Sequence, residues 1–280
     1  MPEGESGRAA RPTERSSAGR LAALAGPLRI AASFAGFLAV WEIAVRQLEV
    51  KPYILPAPSQ VLTDLVDRWW TVVDASLYTL QPMLVGFVAA VVVGVVLALI
   101  VAFSRPLQQV IYPLIVFLQI IPKIAVAPLF IIWFGYGLLP KVLLVFLLSF
   151  FPVLVAAVTA FRSVEPDIMD LARSTRANAV RIFLKVQLPH ALPGLFSGFK
   201  VAAALSSTAA VVAEFVASDR GLGYLLLDYN ANLNTSMTFA VILVLSLLGL
   251  ALYALVELAE RAAIPWHVSR RLDTTELPPP

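Results

Sequence analysis

The sequence lacks cysteine entirely and contains only two histidines among its 280 residues. Without cysteine the chain can form no disulfide and perform no thiol chemistry, and two histidines alone make a His/Cys metal site implausible. Charged residues are also scarce, at 14%, where a soluble domain has about 25%. This scarcity excludes an ordinary soluble domain, and a net charge of +3 gives no reason to expect nucleic-acid binding.

Catalytic groupings are missing as well. We find no carboxylate pair, no nucleophile next to a base and no G-x-x-x-x-G-K-[ST] phosphate loop. We therefore expect that the chain is not an enzyme, holds no cofactor and does not hydrolyse ATP itself.

Apolar residues fill the sequence instead, at 59% with a mean hydropathy of +0.83. Six stretches approach the length of about 20 apolar residues that crosses a bilayer, and the pattern predicts an all-α membrane protein of six transmembrane helices. The predicted spans are 30–45, 82–103, 110–134, 142–161, 194–217 and 239–256. One membrane domain, 30–267, would follow a largely disordered tail, 1–29, and precede a short tail, 268–280.

The basic residues predict the orientation of these spans. With six spans, 15 of the 21 Lys and Arg residues fall in the termini, in the second loop and in the fourth loop, when Lys200 near the start of the fifth span is counted with that loop. Basic residues are enriched on the cytoplasmic side of membrane proteins. We therefore expect a multi-pass protein of a bacterial inner membrane with both termini in the cytoplasm.

The fourth loop, residues 162–193, is too long for a simple connection. Pro166 and Asp167 suit the first turn of a helix, and Asn178 can cap a second short helix over 179–186 that ends before Pro189. Its apolar side chains could fit a groove on another protein. They are Leu171, Ala172, Ile182 and Phe183.

The same loop resembles the cytoplasmic signature of permeases of binding-protein-dependent ABC importers, E-A-A, three residues, G, nine residues, I-x-L-P. Here the chain reads D-L-A at 170–172, then Arg176, then V-Q-L-P at 186–189, with the spacing kept. Arg176 replaces the glycine of the family. Either the turn differs here, or the chain accepts the cost of about 1–2 kcal/mol that a left-handed conformation has for a non-glycine residue.

Further strings resemble the nitrate, sulfonate, taurine and thiamine-precursor branch of that family. They are L-P-A-P-S-Q-V-L at 55–62, A-P-L-F-I-I-W-F-G at 127–135, V-V-A-E-F at 211–215 and G-L-G-Y-L at 221–225. The resemblance covers about 53–267 and implies a type I ABC importer permease fold. It also implies a second permease subunit, identical or paralogous, and an extracytoplasmic solute-binding protein, all within membrane lipid.

The resemblance further implies that residues 162–193, the coupling segment, dock a separate ATPase that binds ATP and Mg. The docking residues carried over are Asp170, Leu171, Ala172, Arg173, Arg176, Ile182, Phe183, Leu188 and Pro189.

Ionisable residues within spans are costly and are functional candidates by default. Lys123 follows Pro122 in a third span that Pro128 also interrupts, so an unwound helix there could expose it to substrate. Alternatively, Lys123 pairs with Glu214 or Glu42, or snorkels between helices. Glu214 and Ser207 are further candidates for the substrate pathway or for helix packing, while Gly221 and Gly223 shape a turn or a gate.

The substrate is less defined than the fold. The P-K-I-A-V-A-P-L-F string at 122–130 resembles the version in some permeases for pyrimidine-type vitamin precursors and aromatic compounds, and this resemblance implies a substrate of that type. Nitrate, sulfonate, taurine or bicarbonate is the alternative. A secondary transporter and a multi-pass membrane enzyme are the alternatives from other classes, and both leave the signature of the coupling segment unexplained.

Overall fold

A computed structural model describes residues 15–266, and within this range the protein contains eleven α-helices and no β-strand. The first six are α1 Arg15–Gln47, α2 Pro58–Asp67, α3 Trp69–Phe103, α4 Arg105–Ile120, α5 Ala127–Phe134 and α6 Leu138–Phe161. The others are α7 Pro166–Ser174, α8 Ala179–Ile182, α9 Leu188–Ala217, α10 Leu222–Ala231 and α11 Thr235–Ala263. A 3₁₀ turn, Lys123–Val126, precedes α5, and a π turn, Phe183–Gln187, precedes α9.

Four helical segments of the described chain are long and apolar enough to cross a membrane. They are Trp69–Phe103, Leu138–Phe161, Ala179–Val216 and Thr235–Ala263. A fifth arises if α4 and the helices after Pro122, which bend by 80°, make one broken span. The all-α membrane fold is confirmed, whereas four or five spans replace the predicted six. The first predicted span, 30–45, lies inside α1.

Two helices of the structure begin at other residues than the predicted boundaries. Helix α1 begins at Arg15, so residues 15–29 are helical where we expected a disordered tail, since the L-A-A-L-A run at 21–25 consists of strong helix formers. Helix α3 begins at Trp69 and contains Pro82, because a proline inside a packed helix need not end it. Residues 1–14 of the predicted N-terminal tail and the whole predicted C-terminal tail, 268–280, lie outside the described residues.

Helices α3, α6 and α9 form the centre of the bundle. Gly86 and Gly94 of α3 lie against Val145 and Val153 of α6, so these two helices run parallel. Gly198 of α9 lies against α6 as well, with α9 antiparallel to both neighbours. Small residues allow such close approach of helices within a membrane.

Polar contacts also join these helices. The buried hydroxyls of Ser149 on α6 and Ser206 on α9 lie 2.9 Å apart and share a hydrogen bond. The end of the bundle where α6 leads into residues 162–193 is called the loop end below, and the other is called the opposite end. The coupling segment and the C-terminus of α11 therefore lie at the loop end, and α2 and α10 at the opposite end.

Candidate functional site

The first half of the coupling segment folds as its sequence predicts. Helix α7 has Pro166 in its first turn together with Asp167, whose charge suits the positive end of the helix dipole. It ends before Thr175, whose hydroxyl donates a hydrogen bond to the Ala172 carbonyl at 2.7 Å. Arg173 and Asp170 form an exposed ion pair at 3.3 Å.

Arg176 adopts the left-handed conformation that a glycine would favour. Its φ is +57°, and its backbone N–H donates to the Arg173 carbonyl at 3.1 Å. Of the two alternatives, a different turn or an accepted strain, the structure has the second. The arginine accepts a backbone strain of about 1–2 kcal/mol that glycine would avoid.

The second half of the coupling segment differs from the prediction. Asn178 caps α8 as expected, its side-chain oxygen accepting from the Arg181 N–H at 2.8 Å. The chain does not stop before Pro189, however, and continues through the π turn into α9, so that Ala179–Val216 is one helical segment. Proline has no N–H and crowds the carbonyl four residues earlier. For Pro189 that carbonyl lies inside the π turn, whose wider winding accommodates the crowding.

The apolar residues of the coupling segment divide into an exposed set and an anchoring set. Leu171 is 69% exposed, and Ile168, Val180 and Leu184 are also exposed. Between α7 and α8 lies a groove of about 340 Å³ that includes Leu171, Ala172 and Ile182 in its lining. Two members of the exposed set, Ile168 and Leu171, therefore line a depression at the loop end of the protein.

Two residues that we assigned to docking face inward instead. Ile182 is only 8% exposed, and the Phe183 ring lies 5.4 Å from Phe103 and 6.0 Å from Phe161 between centroids. Leu188 and Pro189 are half-buried in the first turn of α9. These residues anchor the coupling segment to the bundle, whereas the sequence gave no sign that Val180 and Leu184 would be exposed.

Lys123 lies at the break between α4 and α5, where both Pro122 and the 3₁₀ turn interrupt the helix. Its ammonium donates to the Gln119 carbonyl at 2.9 Å and lies 4.9 Å from the centroid of the Phe151 ring. A cavity of about 400 Å³ opens beside it. The lining residues are Gln119, Lys123, Ile124, Leu148, Phe151, Pro152 and Leu205.

Neither carboxylate considered as a partner for Lys123 is paired with it. Glu42 accepts hydrogen bonds from Arg46 at 2.6 Å and from the Ser59 hydroxyl at 2.7 Å. Glu214 accepts from the Gly223 N–H at 2.6 Å. The ammonium of Lys123 thus retains hydrogen-bonding capacity toward the cavity, since it has three donors.

The other two pathway candidates lie away from Lys123. Leu205 of α9 lines the Lys123 cavity, and Ser207, two residues on, is rotated by about 200° around the helix. Ser207 accordingly faces α11, donating to the Leu245 carbonyl at 3.3 Å beside Gly249. Glu214 lies on nearly the same face of α9 as Ser207. Neither residue therefore lies beside Lys123.

Gly221 and Gly223 meet Glu214 at the opposite end. Gly221 has a φ of +105°, and both glycines lie so close to Glu214 that a Cβ on either would collide with its side chain. The predicted turn is therefore present, and it is built around a carboxylate.

The sequence gave no indication of an ion pair inside the bundle. Lys200 of α9 and Glu260 of α11 form a salt bridge in which both side chains are largely buried, at 10% and 15% exposure. Lys200 also lies 5.9 Å from the Tyr253 ring centroid. The count of basic residues places Lys200 with the cytoplasmic loop. Its partner lies 60 positions later on another helix, and sequence spacing does not reveal that pairing.

Comparisons with known proteins agree with this architecture. Residues 90–264 match the family model described as binding-protein-dependent transport system inner membrane component. The chain aligns with a solved structure of the MetNI methionine ABC transporter, in an inward-facing conformation, with a TM-score of 0.62. That alignment covers 70% of this chain and 97% of the other, and its 19% identity shows the fold alone.

Two relatives have named transport roles. The formylaminopyrimidine transport permease protein ThiX of Halalkalibacterium halodurans is 31% identical, over 84% of this chain and 94% of its own. The riboflavin transport system permease protein RibX of Chloroflexus aurantiacus is 36% identical, over 83% of this chain and 87% of its own. The chain therefore belongs to the binding-protein-dependent transport family and is a multi-pass inner-membrane permease of an ABC importer, whose ATP is hydrolysed by a separate subunit.

Proposed function

We propose that the coupling segment docks the ATPase through the exposed apolar residues around the groove between α7 and α8. Leu171 carries this proposal, because a leucine that is 69% exposed beside a groove suits a partner's surface better than water. Asp170, Arg173 and Arg176 surround it with exposed charges that can steer the partner. The buried Ile182 and the half-buried Phe183 position this surface from the side of the bundle.

The connection of the segment to α9 suggests how docking drives transport. Helix α8 continues through the π turn into α9 as one segment of 38 residues, so a displacement of α7 and α8 acts on a span directly. When the ATPases close on ATP and Mg, the docked segments move together and bias the permease toward its outward-facing state. The binding protein then delivers its solute at the opposite end.

A single substitution tests the docking surface. Leu171→Glu should abolish copurification of the ATPase, because it places a charge on the apolar contact. Leu48→Glu is the matched control, since Leu48 is 74% exposed and lies at the opposite end. Equal recovery of ATPase with both variants would refute the docking surface.

The orientation follows from the same proposal and places both termini and the coupling segment in the cytoplasm. The absence of native cysteine makes labelling direct. Ser174→Cys should react with a membrane-impermeant maleimide only in inverted vesicles, and Asp219→Cys, at the opposite end, only in right-side-out vesicles. The reverse pattern would overturn the orientation.

For the substrate, we propose a nitrogen heterocycle of the pyrimidine-precursor or aromatic type that contacts Lys123. The cavity combines an ammonium, the Gln119 carbonyl and the Phe151 ring, which suits a planar, electron-rich solute. ThiX and RibX, by their names, transport a formylaminopyrimidine and riboflavin, and both compounds contain such rings. Nitrate, sulfonate, taurine or bicarbonate remains the alternative class.

Uptake into vesicles distinguishes these substrates. Lys123→Met should stop uptake of a labelled formylaminopyrimidine while the complex still assembles, and Lys123→Arg, which keeps the charge, should retain part of it. Taurine uptake measured in parallel identifies the alternative. Normal uptake by Lys123→Met, or failure of that variant to assemble, would refute a role for Lys123 in substrate contact.

A second permease subunit, either another copy of this chain or a paralogue, would complete the pathway. Coexpression of two differently tagged copies decides between them. Capture of one tag with the other indicates a homodimer, and capture of a different permease instead indicates a heterodimer.

A further inference from the structure

Glu214 holds the opposite end of α9 to the start of α10. Its side chain is buried, at 1% exposure, and Oε2 accepts a hydrogen bond from the Gly223 N–H at 2.6 Å. Gly223 lies in the first turn of α10, where N–H groups lack partners within the helix and a negative charge is favourable. The carboxylate therefore caps α10 from a neighbouring helix.

The two glycines make room for this contact. A Cβ on Gly221 would lie 2.4 Å from Oε1 of Glu214, and one on Gly223 would lie 2.8 Å from the Glu214 Cβ. Gly221 also has a φ of +105°, which other residues rarely adopt. The G-L-G string thus fits around the side chain of Glu214.

Helix α3 supplies a second anchor to the same turn. The Thr79 hydroxyl, which is buried, accepts a hydrogen bond from the Leu222 N–H at 2.8 Å. Leu222 itself is fully buried among residues of α2, α3 and α11. Two consecutive N–H groups at the start of α10 are therefore held by side chains of two different spans.

The other end of α9 carries the coupling segment. Because Ala179–Val216 is one helical segment, Glu214 and the residues that lead to the docking surface belong to the same rod. Within this rod α9 packs against α6 through Gly194 and Gly198. Because a protein interior is close-packed and has low compressibility, a displacement of one end of α9 is transmitted toward the other end.

We propose that Glu214 is a positioning residue of the transport cycle, tying α10 to α9 so that events at the opposite end reach the coupling segment. This inference rests on the proposed docking function. Arrival of the loaded binding protein on the α10 side then changes the position of α8, and with it the rate of ATP hydrolysis by the docked ATPase.

The test uses the whole importer, permease with ATPase and binding protein, reconstituted in vesicles. ATP hydrolysis is measured with and without the loaded binding protein. Glu214→Ala should keep basal hydrolysis and lose stimulation by about tenfold, a coupling of ordinary size. Glu214→Gln, which keeps an acceptor for the Gly223 N–H, should retain most of the stimulation.

Stimulation of Glu214→Ala equal to that of the unaltered protein would overturn the inference. Loss of basal and stimulated hydrolysis together would also overturn it, because Glu214 would then only stabilise the fold. Thr79→Val removes the second anchor, and the proposal expects a smaller loss of stimulation there. If Glu214→Ala does not assemble and Thr79→Val is fully stimulated, the inference fails.

Failure of the docking function gives a different result. The unaltered permease would then not retain the ATPase at all, and Leu171→Glu would behave as Leu48→Glu does. Retention of the ATPase together with unchanged stimulation in Glu214→Ala isolates an error in the inference about α10.

Discussion

Helix α9 and the coupling segment are adjacent in the chain and are built by opposite means. Helix α9 is held by buried contacts, including its salt bridge to Glu260 and its glycine contacts with α6. The coupling segment shows its ion pair, its strained turn and its leucine at the surface. A substitution of the same kind should therefore change the free energy of unfolding strongly in α9 and weakly in the coupling segment. The surface of the segment is then free to fit a partner.

The largest effect should come from the buried ion pair. Lys200→Met leaves the Glu260 carboxylate buried without its partner, and we expect a loss of about 3–5 kcal/mol in the free energy of unfolding. Thermal unfolding in detergent measures the change. The double variant Lys200→Met, Glu260→Leu should recover much of it, and an unchanged melting temperature for the single variant would contradict the prediction.

Helix packing should give the next largest effect. Gly198→Ala places a Cβ 2.4 Å from the Ala156 Cβ, and overpacking of this kind costs about 1–3 kcal/mol. Gly36→Ala is the control, because no atom of the described part of the chain lies within 4 Å of its Cβ position. It should gain about 0.5–1 kcal/mol from helix propensity, and equal melting temperatures would contradict the contrast.

A substitution at Arg176 should raise the free energy of unfolding instead of lowering it. Arg176→Gly removes the strain at φ +57° and should stabilise the protein by about 1 kcal/mol. Leu233→Gly, at φ +54°, should give a similar gain. If Arg176 contacts the ATPase, only Arg176→Gly changes the ratio of transport to hydrolysis in vesicles, and an unchanged ratio would reject that contact.

The exposed ion pair should matter least. Asp170→Asn breaks the contact with Arg173, whose side chain is 67% exposed, and exposed pairs contribute about 0.2–1 kcal/mol. The melting temperature should stay within experimental error of the unaltered protein. A loss as large as that of Lys200→Met would show that the segment is not built as we describe.

Local signals in the sequence predicted what depends on local physics. Pro166, Asn178 and Pro122 mark helix starts and breaks because proline and cap residues act on their own turn. The spacing of the signature located the turn at Arg176 but left open whether its backbone is left-handed. The family, the all-α fold and the importer function followed from several such strings in order.

Pairings between distant positions were not readable. Lys200 meets Glu260 from another helix, and Thr79 reaches Leu222 across 143 positions. Which face of α9 carries Ser207 depends on the rotation of that helix, which the π turn alters. The inward packing of Ile182 and Phe183 was not readable for the same reason. An apolar residue in a short helix can face either a partner protein or its own bundle.

The π turn at residues 183–187 has a consequence for length variation in this part of the chain. A π turn is wound more loosely than an α turn and commonly holds one residue more. Deleting one residue there would restore the α-helical winding and leave the upstream residues near their present angle around the axis of α9, whereas deleting one residue from the α-helical part would rotate them by about 100°. Only the second kind of deletion would turn the surface of α7 and α8 in another direction, so the π turn is the place in this helix where a one-residue deletion is tolerated.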